Sequence, residues 1–483
     1  MDISLGGLVV FVVLLALGYF LQSPVIIGLF ASLTLGSTAI VILGALGGSS
    51  PLIYTAFAMM LLASVALSRG FLNDLVLTFA NYWTAWVVGA LLVYVMAGAI
   101  LFPRLFAGST MVFVTTPGIG VREVPLSPVS GNIAQTAYFV LGGLTFFAIA
   151  ILMKKPGCPD IIRRGFLTWA ILHTALGLAD LAGKLAGVGD VLAPIRTASH
   201  DFLVEDEAAG FWRIVGGRSE ASSFGIVTVA CMAFSFTYWR ATRLPQMLVL
   251  TIVLFFLLIL STSTTAYAGF AIVAPFGAAA MMVSALRGRI STQDLLLVAL
   301  VWMGLAAALC LYLYKEQIFE PLINLFETVV LNKGASASFA KRTYWNVKSL
   351  ESFFDTAGMG VGMGSSRAAS WVVATISQLG TIGTLLMACL VGVLLRDMVS
   401  PKSVYPDMET LALASSARAC VLASLAAAGV SGGSADPGLL FFIALAVVVA
   451  SRKRQFVRHP ESQSLRTRDS EPLDIPLRAR LRD

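Results

Sequence analysis

The stretch Tyr82-Trp-Thr-Ala-Trp-Val-Val-Gly-Ala-Leu-Leu-Val-Tyr-Val-Met-Ala-Gly-Ala-Ile-Leu-Phe102 contains no charged residue and is closed by Pro103-Arg104. As an α-helix it would measure about 30 Å, the thickness of a bilayer's hydrocarbon core. A helix on the surface of a soluble protein is apolar along one stripe only, and this run is apolar all round. It reads as a membrane span. Similar blocks recur between charges and Pro/Gly breaks, giving about thirteen candidates from 4–21 to 438–451. Alternative breaks at Ser23-Pro24 and near Ser261 make the expected number about 11–13.

Composition agrees. Of 483 residues, 58% are hydrophobic and 12% charged, against about 45–50% and about 25% in soluble domains. Mean hydropathy is +0.86. A soluble enzyme is excluded. A transmembrane barrel would show alternating segments of about ten residues, a pattern the chain lacks. The expected fold is an all-α polytopic membrane protein, with two long extracytoplasmic loops carrying interfacial helices.

No basic residue precedes the apolar run from Leu5, so that run is read as a retained span and not as a cleaved signal peptide. The five cysteines are odd in number and lack metal-ligand spacing, so neither a disulfide framework nor a zinc site is expected.

Short cytoplasmic loops hold an excess of Lys and Arg. Lys154, Lys155, Arg163 and Arg164, then Arg240 and Arg243, Arg287 and Arg289, and Arg452-Lys453-Arg454 all fall on one face, read as cytoplasmic. Outer segments of about 103–131, 185–220 and 315–369 follow. Residues 452–483 carry nine Lys/Arg, five Asp/Glu and three Pro with almost no apolar cluster, so a disordered cytoplasmic tail is expected. Its basic start suits anionic lipid headgroups; nucleic acid is not an expected partner.

Ionisable groups at span ends are functional candidates by default. Arg213-Ile-Val-Gly-Gly-Arg218-Ser-Glu220 leads directly into a span, and His200 lies upstream. A buried Glu220 needs an arginine partner or a substrate; locking the loop to the bundle is the structural alternative. Ser261-Thr-Ser-Thr-Thr265 reads chiefly as hydroxyls satisfying a helix break. The spacing of Ile318, Phe319, Leu322, Ile323, Phe326, Val329 and Val330 predicts an interfacial helix. Lys341 and Arg342 follow, interleaved with Tyr344 and Trp345, and suit a pyrophosphate or a solvated face equally. Gly358-Met-Gly360-Val-Gly362-Met-Gly364 can cradle an anion on its N–H groups, make a tight re-entry turn, or do both.

The order of these features resembles the O-antigen ligase and polymerase-like superfamily, in particular bacterial exopolysaccharide repeat-unit polymerases. Arg213 to Phe224, Leu260 to Thr265, Arg342, Gly360 to Arg367, Leu379 to Gly383, and Pro125 to Gln135 carry the resemblance over about 120–390. It implies transfer of a glycan from an undecaprenyl-pyrophosphate carrier at the outer face of the bacterial inner membrane, with no cofactor, metal or nucleotide sugar. Polysaccharide export and chain-length proteins are the implied protein partners. The implied catalytic residues are Glu220 and Arg213, with Arg218, Arg342, Lys341, Arg367 and His200 binding substrate. Ligases of the superfamily usually carry a histidine where this chain has Arg367-Ala-Ala-Ser370, and none of His173, His200 or His459 stands there. That departure favours a polymerase over a ligase acting on lipid A core. A lipid-linked oligosaccharide flippase or other transporter is the alternative from another class; an export-complex scaffold is a third reading.

Overall fold

The computed structural model describes residues 2–42, 50–116, 120–199, 207–208, 211–288, 291–314, 337–396 and 405–452. The helices are α1 (Leu5–Phe20), α2 (Pro24–Ser32), α3 (Ile53–Ala66), α4 (Phe71–Asn81), α5 (Trp83–Leu105), α6 (Ser130–Leu152), α7 (Cys158–Leu185) and α8 (Ala221–Thr242). They continue with α9 (Pro245–Leu260), α10 (Thr264–Leu286), α11 (Thr292–Tyr314), α12 (Ala337–Asp355), α13 (Trp371–Arg396), α14 (Met408–Ser431) and α15 (Leu439–Ala450). Eight of these are long and apolar enough to cross a membrane, or nine if the bent pair α3 and α4 is one span. Three further apolar helices, α1, α9 and α15, are shorter. The chain is therefore a mostly helical, multi-pass membrane protein.

Small residues let the helices approach one another, as in membrane bundles where lipid supplies no hydrophobic drive between them. Gly28 lies under the Phe57 ring, Gly165 under Phe30 and Gly142 under Phe442, where an added Cβ would stand 2.2, 2.3 and 2.5 Å from the ring. Phe30, Phe166 and Phe234 then stack through the centre, with successive centroids 4.7 and 5.0 Å apart. Outside that core, α10 and α11 turn almost their whole surface outward.

The two ends of the bundle differ in chemistry. At one, Lys154, Arg163, Arg164, Arg240 and Arg243 gather with Asp160 and Asp294. At the other, long connections knit together. The Ser37 hydroxyl donates to the Gly217 carbonyl, 3.0 Å, and the Thr38 hydroxyl to that of Ile195, 2.7 Å. We call these the basic end and the loop end.

The loop end departs from an all-helical expectation. Met111–Thr116 and Gly120–Pro125 form an antiparallel hairpin within the segment read as an outer loop. Val112, Val114, Val121 and Val124 supply the β-branched residues a pleated surface favours. Phe113 carries the hairpin onto α12, with ring centroids 5.8 Å from Tyr344 and 6.1 Å from Trp345. The Glu123 carboxylate accepts from the Tyr344 hydroxyl, 2.8 Å.

Two interrupted helices shape this end. Inside α13, Gly380 adopts φ +63°, ψ −167°, a conformation no other residue enters easily. A Cβ there would stand 2.2 Å from the Met359 carbonyl oxygen. The freed backbone groups bond to the glycine-rich strap beside them: Val361 N–H donates to Ser377 O, 2.9 Å, Gly362 N–H to Gln378 O, 3.0 Å, and Thr381 N–H to Gly358 O, 2.8 Å. Tyr94 closes the gap by donating to Leu379 O, 2.9 Å. Non-helical backbone at such depth persists only where protein satisfies it. The second interruption is the extended strap 432–438 between α14 and α15. Helix α15 has 12 residues, about 18 Å, too short for a bilayer core of about 30 Å.

The expected interfacial helix over 318–330, His200, and the tail beyond Arg452 lie outside the described residues.

Candidate functional site

The loop from Arg213 to Glu220 is held from below by charge. Asp180, on α7 and fully buried, accepts from the N–H groups of Val215, 2.7 Å, and Gly216, 2.9 Å, and pairs with Lys184, 3.1 Å. The Lys184 ammonium also donates to the Arg213 carbonyl, 2.6 Å. From the side, Arg196 pairs with Asp190, 2.8 Å, and donates to the carbonyls of Gly216, 2.7 Å, and Arg218. These bonds fix the loop so that Glu220 stands at the N-cap of α8.

The expected site residues separate into distinct environments. Arg218 turns inward, where its guanidinium donates to the Leu33 carbonyl, 2.5 Å, at the open end of α2. That bond supplies an otherwise orphan helix carbonyl. Burial pushes its pKa down to about 10, so it remains charged at neutral pH. Glu220 is expected to need Arg213 or Arg218 as partner; its carboxylate accepts instead from the Ser222 hydroxyl and faces Arg367 electrostatically. Arg213 is half-buried and acts on Tyr267 of α10.

Arg367 and Lys341 converge on Trp345, and Arg342 lies near Arg367. The Arg367 guanidinium lies over the indole at 5.6 Å and the Lys341 ammonium at 5.2 Å, within cation–π range. The Arg367 N–H is anchored on the Phe113 carbonyl, 2.9 Å. Arg342 donates to the Ser431 hydroxyl, 2.9 Å, tying α12 to the end of α14. Among the described residues, neither Arg342 nor Arg367 forms an ion pair with a carboxylate. Arg367 is exposed, with Trp345, Gly433 and Arg342 as its neighbours. Burial pushes its pKa down, Glu220 opposes that shift, and Arg342 adds to it.

The glycine run is not an anion cradle. Its N–H groups are spent within the protein: Gly358 on Phe353 O, Gly360 on Thr356 Oγ1, Gly362 on Gln378 O and Gly364 on Gln378 Oε1. It is a re-entry strap. Asn132 secures its far end, donating to Met363 O and Ser365 Oγ, both 2.7 Å. The hydroxyl cluster is structural as well: Ser263 caps α10 and Ser261 donates to Leu258 O, 2.7 Å. His173, buried in α7, bonds to Thr228, 2.9 Å, and stacks on Phe224.

Asp436, in the strap 432–438, was not among the expected residues. Its Oδ1 accepts from Gly438 N–H, 2.9 Å. Ser434 accepts from the Asp436 N–H, 3.2 Å, and donates to Gln135 of α6, 2.8 Å. Tyr54 and Tyr138, with centroids 6.2 Å apart, both feel the Asp436 charge. Burial pushes the Asp436 carboxyl up to about 6, the Gly438 bond acting against it. The available signal was a lone carboxylate inside Gly432-Gly-Ser-Ala-Asp436-Pro-Gly438 between two apolar blocks.

No group of three His, Cys, Asp or Glu suited to a metal occurs among the described residues. No family model matches the chain, and no curated protein matches it at significant similarity.

Proposed function

We propose that the protein is a polysaccharide repeat-unit polymerase, transferring a glycan from an undecaprenyl-pyrophosphate carrier to an acceptor glycan. The observation that carries this reading is the convergence of Arg342 and Arg367 beside Glu220 without a carboxylate ion pair for either arginine among the described residues. Guanidinium groups held near one another match the planar oxygen array of a phosphate.

Glycosyl transfer leaves negative charge on the departing group and requires removal of a proton from the attacking hydroxyl. Arg342 and Arg367 take the developing pyrophosphate charge, each worth about 10²–10³ in rate by analogy with other preorganised donors. Trp345 offers an apolar face between two cations for a sugar ring. Glu220 keeps Arg367 oriented. Lys341, exposed on α12, meets the carrier at the rim. In this reading the loop end faces the periplasm, the basic end the cytoplasm, and the membrane is the bacterial inner membrane, as the Lys/Arg distribution favours. Export and chain-length proteins would receive the product.

A transporter reading draws support from the interrupted helices at Gly380 and 432–438, since carriers build their sites on such breaks. One assay separates the readings. Purified protein given an undecaprenyl-pyrophosphate-linked repeat unit should produce a ladder of longer lipid-linked glycans. A transporter produces none, and a ligase extends only when lipid A core is supplied.

A further inference from the structure

The loop end contains two kinds of carboxylate. Asp190 spends both side-chain oxygens on guanidinium or backbone N–H donors, and Asp180 bonds three donors through Oδ2 while its Oδ1 lies 3.1 Å from the Lys184 ammonium. Asp436 spends one. Its Oδ1 is held by Gly438 N–H, whereas Oδ2 has no hydrogen-bond partner among the described residues, and the residue is half-buried. The strap that carries it is built to aim it. Arg342 is bonded to Ser431 at the strap's start, Gly433 lies against the Arg367 guanidinium, and Trp371 donates to Ala435 O, 3.2 Å. Gly438, at φ +83°, then turns the chain into α15.

The second oxygen stands among groups suited to a sugar: the Tyr54 and Tyr138 rings, the Gln135 amide and the Ser434 hydroxyl. A few polar groups converging among aromatic walls are the usual make-up of a small-molecule site. Asp436 also lies a few residues along the strap from the arginine pair, so an acceptor bound there would reach a donor held by Arg342 and Arg367.

Resting on the polymerase reading, we infer that Asp436 is the proton acceptor for the attacking hydroxyl, and that Tyr54, Tyr138 and Gln135 beside it seat the acceptor sugar. The acceptor oxygen forms its bond to the anomeric carbon while its proton passes to Asp436 Oδ2. The bond from that carbon to the pyrophosphate oxygen breaks, and its electron pair leaves on the pyrophosphate beside Arg342 and Arg367. Asp436 then returns its proton to water. The two carboxylates divide the work by environment: Glu220 faces a guanidinium, and Asp436 faces two phenols. Separating paired acids in this way is how one site supplies both a fixed charge and a base.

The charged and titratable groups around Asp436 are Tyr54 from α3, Tyr138 from α6, Arg218 acting on the same Tyr54, and Arg367 beside Gly433. A carboxyl raised to about 6 there is deprotonated, and competent as a base, above that pH.

The test uses the full chain in detergent. Asp436→Asn preserves the oxygen that accepts from Gly438. Its elongation rate should fall about 10²–10⁴-fold, while binding of undecaprenyl pyrophosphate in micelles and thermal unfolding stay near wild type. Wild-type turnover should rise with pH through about 6; Asp436→Glu should keep part of the activity and the same rising limb, shifted in midpoint. An Asn variant within threefold of wild type, or one keeping the limb, overturns the assignment while leaving the polymerase reading intact. Loss of undecaprenyl pyrophosphate binding in that variant also overturns it, since the residue would then be structural. Wild-type protein that neither binds undecaprenyl pyrophosphate nor elongates the lipid-linked unit overturns both readings together.

Discussion

The basic end and the loop end both hold arginines and carboxylates, and they use them oppositely. At the basic end, Arg243 forks onto Asp294 at 2.7 and 2.9 Å, Arg240 lies 3.9 Å from the same carboxylate, and Arg163 and Arg164 share Asp160. Each of these four arginines has a carboxylate within 4 Å. At the loop end, Asp180 with Lys184 and Asp190 with Arg196 also balance, and they do so underneath the loop that presents Glu220. Above them Arg342, Arg367, Glu220 and Asp436 form no ion pairs among the described residues. Closed pairs build the frame, and the open charges it supports are free to meet a ligand. Charge near a membrane is costly enough that two arginines near one another without a carboxylate ion pair call for a functional account.

The contrast can be broken first at the open charges. Arg342→Gln or Arg367→Gln should lower elongation about 10²–10³-fold per folded molecule, whereas Arg243→Gln at the basic end should stay within about threefold. Lipid-linked glycan ladders, normalised to detergent-stable protein, read both. Equal losses at the two ends would dissolve the distinction.

The next effect concerns stability. Asp294 is 1% exposed and accepts from both Arg243 and Ser291. Asp294→Asn should cost about 2–3 kcal/mol, less than a fully buried pair because Arg243 is partly solvated. Glu220→Gln, which loses no ion pair, should cost less than about 1 kcal/mol while depressing turnover. Thermal unfolding in detergent compares them.

A smaller effect should appear in the pH dependence of unfolding. Asp436 is raised in the folded protein to about 6, against about 3.9 in an unfolded chain. The folded state therefore holds this proton more tightly. Its stabilising contribution is complete below about pH 4 and is lost as pH rises through about 6. Asp436→Asn should remove that slope and leave the protein as stable as wild type, or more so, at pH 7. An unchanged slope would show that Asp436 is not the titrating group. The smallest effect is expected from deleting residues 457 onward, which should leave elongation within about twofold, measured on the same ladders.

The spans were legible because lipid demands uninterrupted apolar length: the block 82–102 became α5, Trp83–Leu105, with little change. What escaped depended on partners distant in sequence. Gly380 sits inside an apolar block, and only the strap at 358–362 explains why the helix opens there. The hairpin at 111–125 offered a short β-branched run that composition alone left as loop. Arg213 and Arg218 looked alike, yet Arg218 is committed to Leu33 of a segment far upstream. Arg342 and Arg367 could be picked out by residue type, but their approach to one another, with Arg367 over Trp345, needed the fold. Asp436 was hidden by its ordinariness, a single acid in a turn, until Tyr54 and Tyr138 were seen around it.

The brevity of α15 bears on how the protein is made. Nearly all of its residues are buried, yet as a lone segment it is too short to hold itself across a bilayer. It packs on α6 and α14, which must be in place to receive it, and its entry draws the strap with Asp436 into position. A chain clipped before Leu439 would keep both arginines but lose the helix that anchors the strap carrying Asp436.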